Sequence, residues 1–124
     1  MELYHGSYAK VEQPQIIKGQ YTKDFGTGFY CTILKEQAER WAGKYDSPWV
    51  NVYEYTKNEN LRILEFNELT DDWLDFVVAC RAGQRHDYDI VIWVLAKFKY
   101  PTHQIAFCTE AALATLTFKS VYSL

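Results

Sequence analysis

Two short segments hold the residues whose types and spacing could do chemistry. The first is Tyr4–Ser7 (Tyr-His-Gly-Ser), in which a ring nitrogen and a hydroxyl flank a glycine small enough to let a ligand reach the backbone. The second is Phe25–Tyr30 (Phe-Gly-Thr-Gly-Phe-Tyr), a glycine-punctuated turn that leads into an aromatic strand. The Tyr30 ring would suit a flat, electron-poor ligand through stacking and cation–π attraction. Taken alone, the first segment is also typical of a histidine at a strand end and a glycine in a turn.

The elements that must position these segments are two short strands and a helix. Apolar and aromatic residues predict strands at Leu3–His5 and Phe29–Thr32. Apolar residues at helical spacing then predict a helix over Leu34–Ala42. Thr32 is its predicted N-cap, and Gly43 is the predicted stop.

A hairpin is predicted after Pro48. The segment Trp49–Tyr55 has the aromatic and β-branched content of a strand, and the polar run Lys57–Asn60 indicates a turn. Leu61–Phe66 is then the expected antiparallel partner of the first strand. This hairpin makes the predicted sheet mainly antiparallel.

The second half of the chain predicts a capped helix followed by strands. Thr70 precedes Asp71 and Asp72, so a hydroxyl and two carboxylates mark a helix start, and Gly83 marks its end. The apolar stripe of this helix is expected to support the sheet. Four further elements follow: a strand at Ile90–Leu95, a strand at His103–Cys108, a short helix from Thr109 to Leu116 and a strand at Thr117–Tyr122.

This order of elements lacks regular β-α-β alternation and the glycine fingerprint of a dinucleotide-binding doubly wound fold. The predicted class is therefore α+β, with a mainly antiparallel sheet core and two main flanking helices. At 124 residues, of which 48% are hydrophobic, the chain can bury the core of a single domain over residues 1–124.

Charge and cysteine usage argue against several classes of function. The net charge is −3 with both signs scattered, so a nucleic-acid partner is not indicated. Cys31, Cys80 and Cys108 are far apart and odd in number, which predicts buried free thiols, and they show no metal-binding spacing with the histidines. No apolar run reaches the roughly 20 residues of a membrane span, and the N-terminus lacks a secretory signal. We therefore expect a soluble, cytoplasmic protein without a metal.

Together the two segments resemble the nicotinamide-binding half of ADP-ribosyltransferases. The first resembles the opening His-Gly strand of the poly(ADP-ribose)-polymerase-like and diphtheria-toxin-like enzymes, and the second resembles their Phe-Gly-x-Gly-aromatic-Tyr strand. Nearly the whole chain is similar to an uncharacterised bacterial family assigned to that superfamily. The further stretches that carry this similarity are Thr22–Gly26, Gln37–Ala42, Trp73–Val77 and His103–Phe107. The resemblance implies an ADP-ribosyltransferase-like split sheet and NAD as the substrate.

The resemblance implies a role for each residue of the first segment. Gly6 holds the nicotinamide carboxamide through its backbone N–H and C=O, which glycine leaves accessible. Ser7 adds a hydroxyl contact to the same ligand. His5 hydrogen-bonds a ribose hydroxyl.

The second segment supplies the aromatic part of the implied site. Tyr30 stacks on the nicotinamide ring, and Gly28 belongs to the same cofactor-binding stretch. Trp41 lies eleven residues after Tyr30, where the poly(ADP-ribose) polymerases carry an aromatic residue that covers the other face of the ring. Trp41 is therefore either the second wall of the site or ordinary core of an amphipathic helix.

The third element of the family pattern differs in this chain. It is a glutamate at the start of a strand, which holds a hydroxyl of the nicotinamide ribose and stabilises the oxocarbenium-like centre. Gln104 is its counterpart here, and an amide can hold the hydroxyl but cannot carry the charge. Loss of one such electrostatic group commonly costs about a hundredfold in rate. Glu110, six residues later, would either supply the missing carboxylate or stabilise a helix N-terminus.

A second departure concerns a missing segment. Members of the resembled family continue after the strand Tyr88–Ile92 with a glycine-proline segment and a further stretch before the element that begins at Pro101. Here Trp93 follows Ile92 directly. That segment would contribute to the rim of the site and to recognition of the acceptor.

The predicted function is transfer of ADP-ribose from NAD to an unknown acceptor by a mono-ADP-ribosyltransferase, with Gln104, Tyr30 and His5 as catalytic residues. Members of the resembled family are often encoded beside a small partner gene, which implies a toxin with a small antitoxin protein. Two alternatives stay open: a non-catalytic module that binds NAD, another nucleotide or a protein on the same fold, and an NAD glycohydrolase.

Overall fold

The computed structural model describes residues 1–16, 25, 27–95 and 102–124. Within these residues the chain forms seven strands and three helices in the predicted order. The elements are β1 (Glu2–Ser7), β2 (Phe29–Cys31), α1 (Lys35–Ala42), β3 (Trp49–Tyr55), β4 (Ile63–Phe66), α2 (Asp71–Arg81), β5 (Ile90–Leu95), β6 (Thr102–Phe107), α3 (Glu110–Leu113) and β7 (Leu116–Ser123).

The strands form two sheets. The first has the order β1-β3-β7, with both pairings antiparallel. The second has the order β2-β6-β5-β4, in which only the β4–β5 pairing is parallel. The fold is therefore α+β with mainly antiparallel sheets and three helices, which confirms the predicted class at this level.

The predicted hairpin partner of β3 is wrong. The segment Leu61–Phe66 holds β4, which pairs in parallel with β5, so that Ile63 lies opposite Ile90. Both edges of β3 are already taken, since β1 and β7 flank it. The chain reaches a parallel pairing because α2 provides the long crossover that parallel strands require.

The predicted N-cap of α1 is also wrong. The N-cap is Leu34, which has no side-chain cap hydrogen bond. Thr32 lies two residues earlier, where its backbone still bonds Tyr4 of β1, and its Oγ1 accepts from the Leu34 amide at 3.0 Å. The helix ends at Gly43 as predicted.

The signals at the ends of α2 are confirmed. The Thr70 hydroxyl accepts a hydrogen bond from the amide of Trp73 at 3.1 Å, as expected of an N-cap. Gly83 has a φ of 86°, a conformation that glycine adopts without strain and that ends the helix.

The third helix is shorter than predicted. Thr109 caps it as expected, since its hydroxyl accepts from the amide of Ala112 at 3.2 Å. The helix stops at Leu113 instead of Leu116, because Leu116 already pairs with Tyr55 as the first residue of β7.

Side-chain alternation along the strands divides the core into three clusters. An inner cluster lies between the sheets and includes Leu3, Phe29, Tyr53 and Phe107. Helix α1 packs on the first sheet over Val50. Helix α2 packs on the second sheet, in a cluster that joins Val77 to Tyr30, Val91 and Ala106. Cys31 and Cys80 are buried free thiols as predicted, whereas Cys108 is only partly buried.

Candidate functional site

The two sheets are joined where β1 meets β2. Among the described residues, one pair makes this junction: the Tyr4 amide donates to Thr32 O at 2.8 Å, and the Thr32 amide donates to Tyr4 O at 2.9 Å. The bridge is antiparallel, so Gly6 and Tyr30 would form the next hydrogen-bonded pair of such a ladder. The described strands make no second pair, and a gap therefore opens between Gly6 and Tyr30.

Backbone groups from both sides face this gap. In an antiparallel ladder, alternate residues bond to alternate sides. The Tyr55 amide bonds Met1 O at 2.9 Å, and the Tyr4 groups bond to Thr32, so the N–H and C=O of Gly6 point away from β3 and toward β2. The same alternation turns the backbone of Tyr30 toward β1.

His5 spans the gap on the inner side. Its Nδ1 lies 2.5 Å from Tyr30 O, and a carbonyl only accepts, so Nδ1 carries the proton. The imidazole also stacks on Phe29, with ring centroids 4.1 Å apart.

Gly6 packs tightly against helix α1. A Cβ at this position would lie 2.2 Å from Ala38 O and 2.8 Å from Ala42 N. The absent side chain therefore makes room for the helix, which is a reason for glycine that involves no ligand. The reason given from the sequence was access of a ligand to the backbone. That reason concerns the N–H and C=O of Gly6, which point toward β2 and not toward the helix.

Trp41 stands beside Gly6. Its Cβ lies 3.1 Å from the position that a Gly6 Cβ would take. The buried residues of α1 are Gln37, Ala38 and Ala42, whereas Trp41 is only partly buried. Trp41 is thus outside the buried face of the helix, and its Cβ lies next to Gly6.

Tyr30 is more enclosed than a free stacking partner would be. Its side chain is 7% exposed and packs with Phe25, Val77 and Val91 under α2. Its hydroxyl accepts a hydrogen bond from the Phe25 amide at 3.2 Å. The ring is therefore suited to the floor of a site, and Trp41 is the more accessible aromatic wall.

Gln104 lies on the same face of the second sheet as Tyr30. Tyr30 pairs with Ala106, and Gln104 is two residues from Ala106 along β6, so the two side chains leave the sheet on one face about 7 Å apart along the strand. Gln104 pairs with Trp93 of β5. The structure thus brings Gly6, Trp41, Tyr30 and Gln104 to one side of the joined sheets.

The remaining predicted residues lie elsewhere. Ser7 is buried, and its hydroxyl accepts from the Ala9 amide at 3.3 Å on the inner side. Gly28 is buried against the end of β6, where a Cβ would lie 3.0 Å from Phe107 O. Gly26 lies outside the described residues. Glu110 is exposed in the first turn of α3, beyond the end of β6 that is farthest from Gln104.

The sequence reasoning did not assign a role to Gln37. Its Oε1 accepts from the His103 amide at 3.0 Å and from the Thr32 hydroxyl at 3.2 Å. The side chain is buried, so this one oxygen ties α1, and with it Trp41, to the start of β6. An uncharged polar residue on the apolar face of the helix was the available signal.

Asn51 was also missed. Its side chain is fully buried, its Oδ1 accepts from the Val11 amide at 2.8 Å, and its Nδ2 donates to Ala9 O at 3.2 Å. Nδ2 also lies 3.4 Å from His5 O. Asn51 therefore fixes the chain that leaves β1 beside the site. A polar residue within an otherwise apolar strand was the signal for it.

His103 is a neutral structural histidine. Its Nδ1 accepts a hydrogen bond from the Ile33 amide at 3.2 Å. Burial disfavours the charged ring and lowers the pKa of His103 to about 4. It therefore holds the connection between β2 and α1 without carrying charge at neutral pH.

Residues 1–16, 25, 27–95 and 102–124 contain neither a cluster of metal-ligating side chains nor a helix that could span a membrane. Within these ranges, no three side chains of the metal-ligating types His, Cys, Asp and Glu come together. Over the same part of the chain, none of the helices has the length and apolar character needed to cross a membrane.

Comparison with known families places the chain in one of them. The sequence model of the family described as "Protein of unknown function (DUF3990)" matches residues 1–97. This is more than half of the chain, so the protein belongs to that family. Among curated proteins, none matches the sequence.

Proposed function

We propose that this member of the DUF3990 family binds the nicotinamide end of NAD at the gap between β1 and β2 and transfers ADP-ribose to an acceptor. One observation carries the proposal: the N–H and C=O of Gly6 face the gap opposite the backbone of Tyr30, and the Cβ of Trp41 lies next to Gly6. A carboxamide has one donor group and one acceptor group on the same carbon, and an outward-facing residue of a strand offers the complementary pair.

The aromatic residues support the same ligand. A pyridinium ring held at Gly6 would lie against Trp41, which is partly exposed, and at the edge of Tyr30, which α2 nearly covers. Stacking and cation–π attraction favour an electron-rich indole next to an electron-poor ring. We assign the wall to Trp41 and the floor to Tyr30.

The polar residues would then hold the ribose. By the resemblance, His5 would hydrogen-bond a ribose hydroxyl beside the gap that its Nδ1 contact with Tyr30 O spans. Gln104, on the face of Tyr30, would hold a hydroxyl of the nicotinamide ribose. In the reaction the glycosidic carbon–nitrogen bond breaks, nicotinamide leaves with the electron pair, and the acceptor bonds to the ribose carbon.

Incubation of the full chain with NAD tests this proposal. Released nicotinamide is measured by chromatography, and a candidate acceptor is examined for the added mass of an ADP-ribose group. The variant Trp41→Ala should abolish most of the release, and Trp41→Phe should retain part of it because a ring remains. Trp49→Phe is the matched control, since Trp49 is also partly buried but donates its indole N–H to Ser47 at 3.0 Å. Equal release by all four proteins would refute the proposed pocket.

A second candidate is a module that binds NAD or another nucleotide without turnover. The neutral amide of Gln104 favours it, because an amide cannot stabilise the developing positive charge as a carboxylate does. Gln104→Glu separates the two functions. A slow transferase should change its rate of nicotinamide release by about tenfold or more, whereas a binding module should remain inactive.

A third outcome is NAD hydrolysis without an acceptor. Water would then take the place of the acceptor at the ribose carbon. Free ADP-ribose would accumulate in step with nicotinamide, and no macromolecule would gain mass. We propose transfer over hydrolysis because of the resemblance to transferases. The proposal includes an acceptor of unassigned identity and a small antitoxin protein as partner.

A further inference from the structure

Three buried polar atoms cluster on the face of the second sheet that α2 covers. They are Nε1 of Trp73, Nε1 of Trp93 and Oε1 of Gln104, and none of them has a hydrogen-bond partner among the residues that the structure describes. Buried polar groups are nearly always paired, because an unpaired one has lost its water without replacement. Three such atoms together indicate a group that the described chain does not supply.

The three side chains are neighbours. The rings of Trp73 and Trp93 stack, with centroids 4.9 Å apart and planes 29° from parallel. Trp93 and Gln104 are Cα partners in the β5–β6 ladder, so their side chains leave the sheet side by side on one face. The backbone of Trp73 is fixed at the start of α2, because the Thr70 hydroxyl accepts a hydrogen bond from its amide. The cluster is therefore built from two strands and the first turn of a helix.

The atom types restrict the ligand. An indole N–H only donates and an amide oxygen only accepts, so the missing group must both accept and donate. A carboxylate has no proton for the Gln104 oxygen. A guanidinium has no acceptor for the indole groups. A neutral hydroxyl accepts from an indole and donates to the amide oxygen at once, and a buried water molecule does the same in its absence.

We infer that Trp73, Trp93 and Gln104 form a subsite for neutral hydroxyl groups of the kind that a sugar or a ribose carries. The inference rests on the proposed function in one respect: Gln104 would stand next to the reacting ribose, so the hydroxyl belongs either to NAD or to a separate acceptor. Both sources share this chemistry. A sugar also presents C–H faces that suit contact with tryptophan rings.

Nuclear magnetic resonance of the four tryptophan indole N–H groups tests the inference on the full chain. Trp73 and Trp93 report the subsite, and Trp41 reports the proposed nicotinamide pocket. Trp49 is an internal control, because its N–H already bonds Ser47. The variants Trp41→Phe and Trp49→Phe identify two signals, so the other two belong to the subsite even where Trp73→Phe or Trp93→Phe does not fold.

The probes are NAD, D-ribose, acetate and agmatine. We expect the Trp73 and Trp93 signals to move with D-ribose or with NAD, and to stay in place with acetate and agmatine. Movement with NAD alone assigns the hydroxyl to NAD, and movement only when D-ribose is added to the NAD complex assigns it to an acceptor. Removal of one donor in Trp93→Phe should weaken binding of the active probe about fivefold.

Two results would overturn the subsite. One is that NAD, D-ribose and the two together all leave the Trp73 and Trp93 signals in place, which would mean that only water occupies the cluster. The other is that acetate moves them as much as D-ribose, which would indicate an anion site. The Trp41 signal separates this result from the proposed function: if D-ribose moves Trp73 and Trp93 while NAD leaves Trp41 unchanged, the subsite stands and the nicotinamide pocket fails.

Discussion

Nδ1 of His5 lies 2.5 Å from the main-chain oxygen of Tyr30, across the gap between β1 and β2. The side chain thereby bonds the carbonyl that would otherwise face the backbone of Gly6. Backbone hydrogen bonds between Tyr4 and Thr32 hold the two strands together. The side chain of the next residue, His5, then bridges the two strands. This contact holds β1 to β2 beside the proposed nicotinamide pocket.

Replacing His5 by phenylalanine should separate its two contacts. The new ring can still stack on Phe29, but the donor to Tyr30 O is lost, so the free energy of unfolding should fall by about 1 kcal/mol. Nicotinamide release should fall by about tenfold or more, because the ribose partner is lost as well. Urea unfolding and chromatography measure the two effects.

His86→Phe is the control for the first variant. His86 is also a histidine beside a phenylalanine, with ring centroids 5.2 Å from Phe76, and its Nδ1 accepts from the Tyr88 amide at 3.1 Å. It should cost a similar amount of stability and leave nicotinamide release unchanged. Loss of release in both variants to the same degree would mean that His5 acts only through stability.

Gly6→Ala should destabilise the protein strongly. The added Cβ would lie 2.2 Å from Ala38 O, a backbone atom that cannot move without shifting α1. We expect a loss of about 3 kcal/mol in the free energy of unfolding. Gly43→Ala is the control: it ends the same helix with a φ of −61°, and its Cβ would be 3.4 Å from the nearest neighbouring atom, Glu39 O. That variant should change stability by less than about 1 kcal/mol, and an equal loss in both would contradict the packing described here.

Stability should depend on pH through His103. Its pKa is lowered to about 4 in the folded chain, whereas the unfolded value is about 6.5. Between these two pH values the unfolded chain binds more protons, so stability rises with pH from about 4 to 6.5 and is complete above that range. The effect amounts to about 3 kcal/mol.

The variant His103→Asn isolates this contribution. Its amide oxygen can accept from the Ile33 amide in place of Nδ1, and it does not titrate. Urea unfolding between pH 4 and 7 should show a shallower slope for the variant than for the parent. An unchanged slope would assign the pH dependence to other groups, of which His86 is one, since burial also lowers its pKa.

Gln37→Leu should loosen the attachment of α1 to β6. It removes the acceptor of the His103 amide and of the Thr32 hydroxyl, both of which are buried. The expected cost is about 2 kcal/mol, together with weaker NAD binding because Trp41 is on the same helix. Gln13→Leu, at an exposed position, should leave both quantities unchanged. A Gln37 variant as stable as the parent would show that this oxygen does not anchor the helix.

Local patterns predicted most elements of the fold. The periodicity of α1 and α2 and the caps at Thr70 and Thr109 depend on residues close in sequence, and they are confirmed. The partner of β4 depends on which strand edges remain open after β1 and β7 have paired with β3. That is a property of the whole sheet, which the content of Leu61–Phe66 does not encode.

The candidate site was predictable only in part. The resemblance indicated Gly6, Tyr30 and Trp41; in the structure the backbones of Gly6 and Tyr30 face each other, and the Cβ of Trp41 lies next to Gly6. It did not indicate that Tyr30 is nearly covered, because burial depends on the helix packed above it. Gln37 bonds residues that lie up to 66 positions away, and no local pattern specifies such partners.

A crystal structure of the full chain with bound NAD tests the central claim most directly. We predict that the nicotinamide carboxamide donates to and accepts from the backbone of Gly6, with the ring against Trp41 and at the edge of Tyr30. Nicotinamide bound elsewhere, or a Gly6 backbone that pairs with β2 and closes the gap, would contradict it.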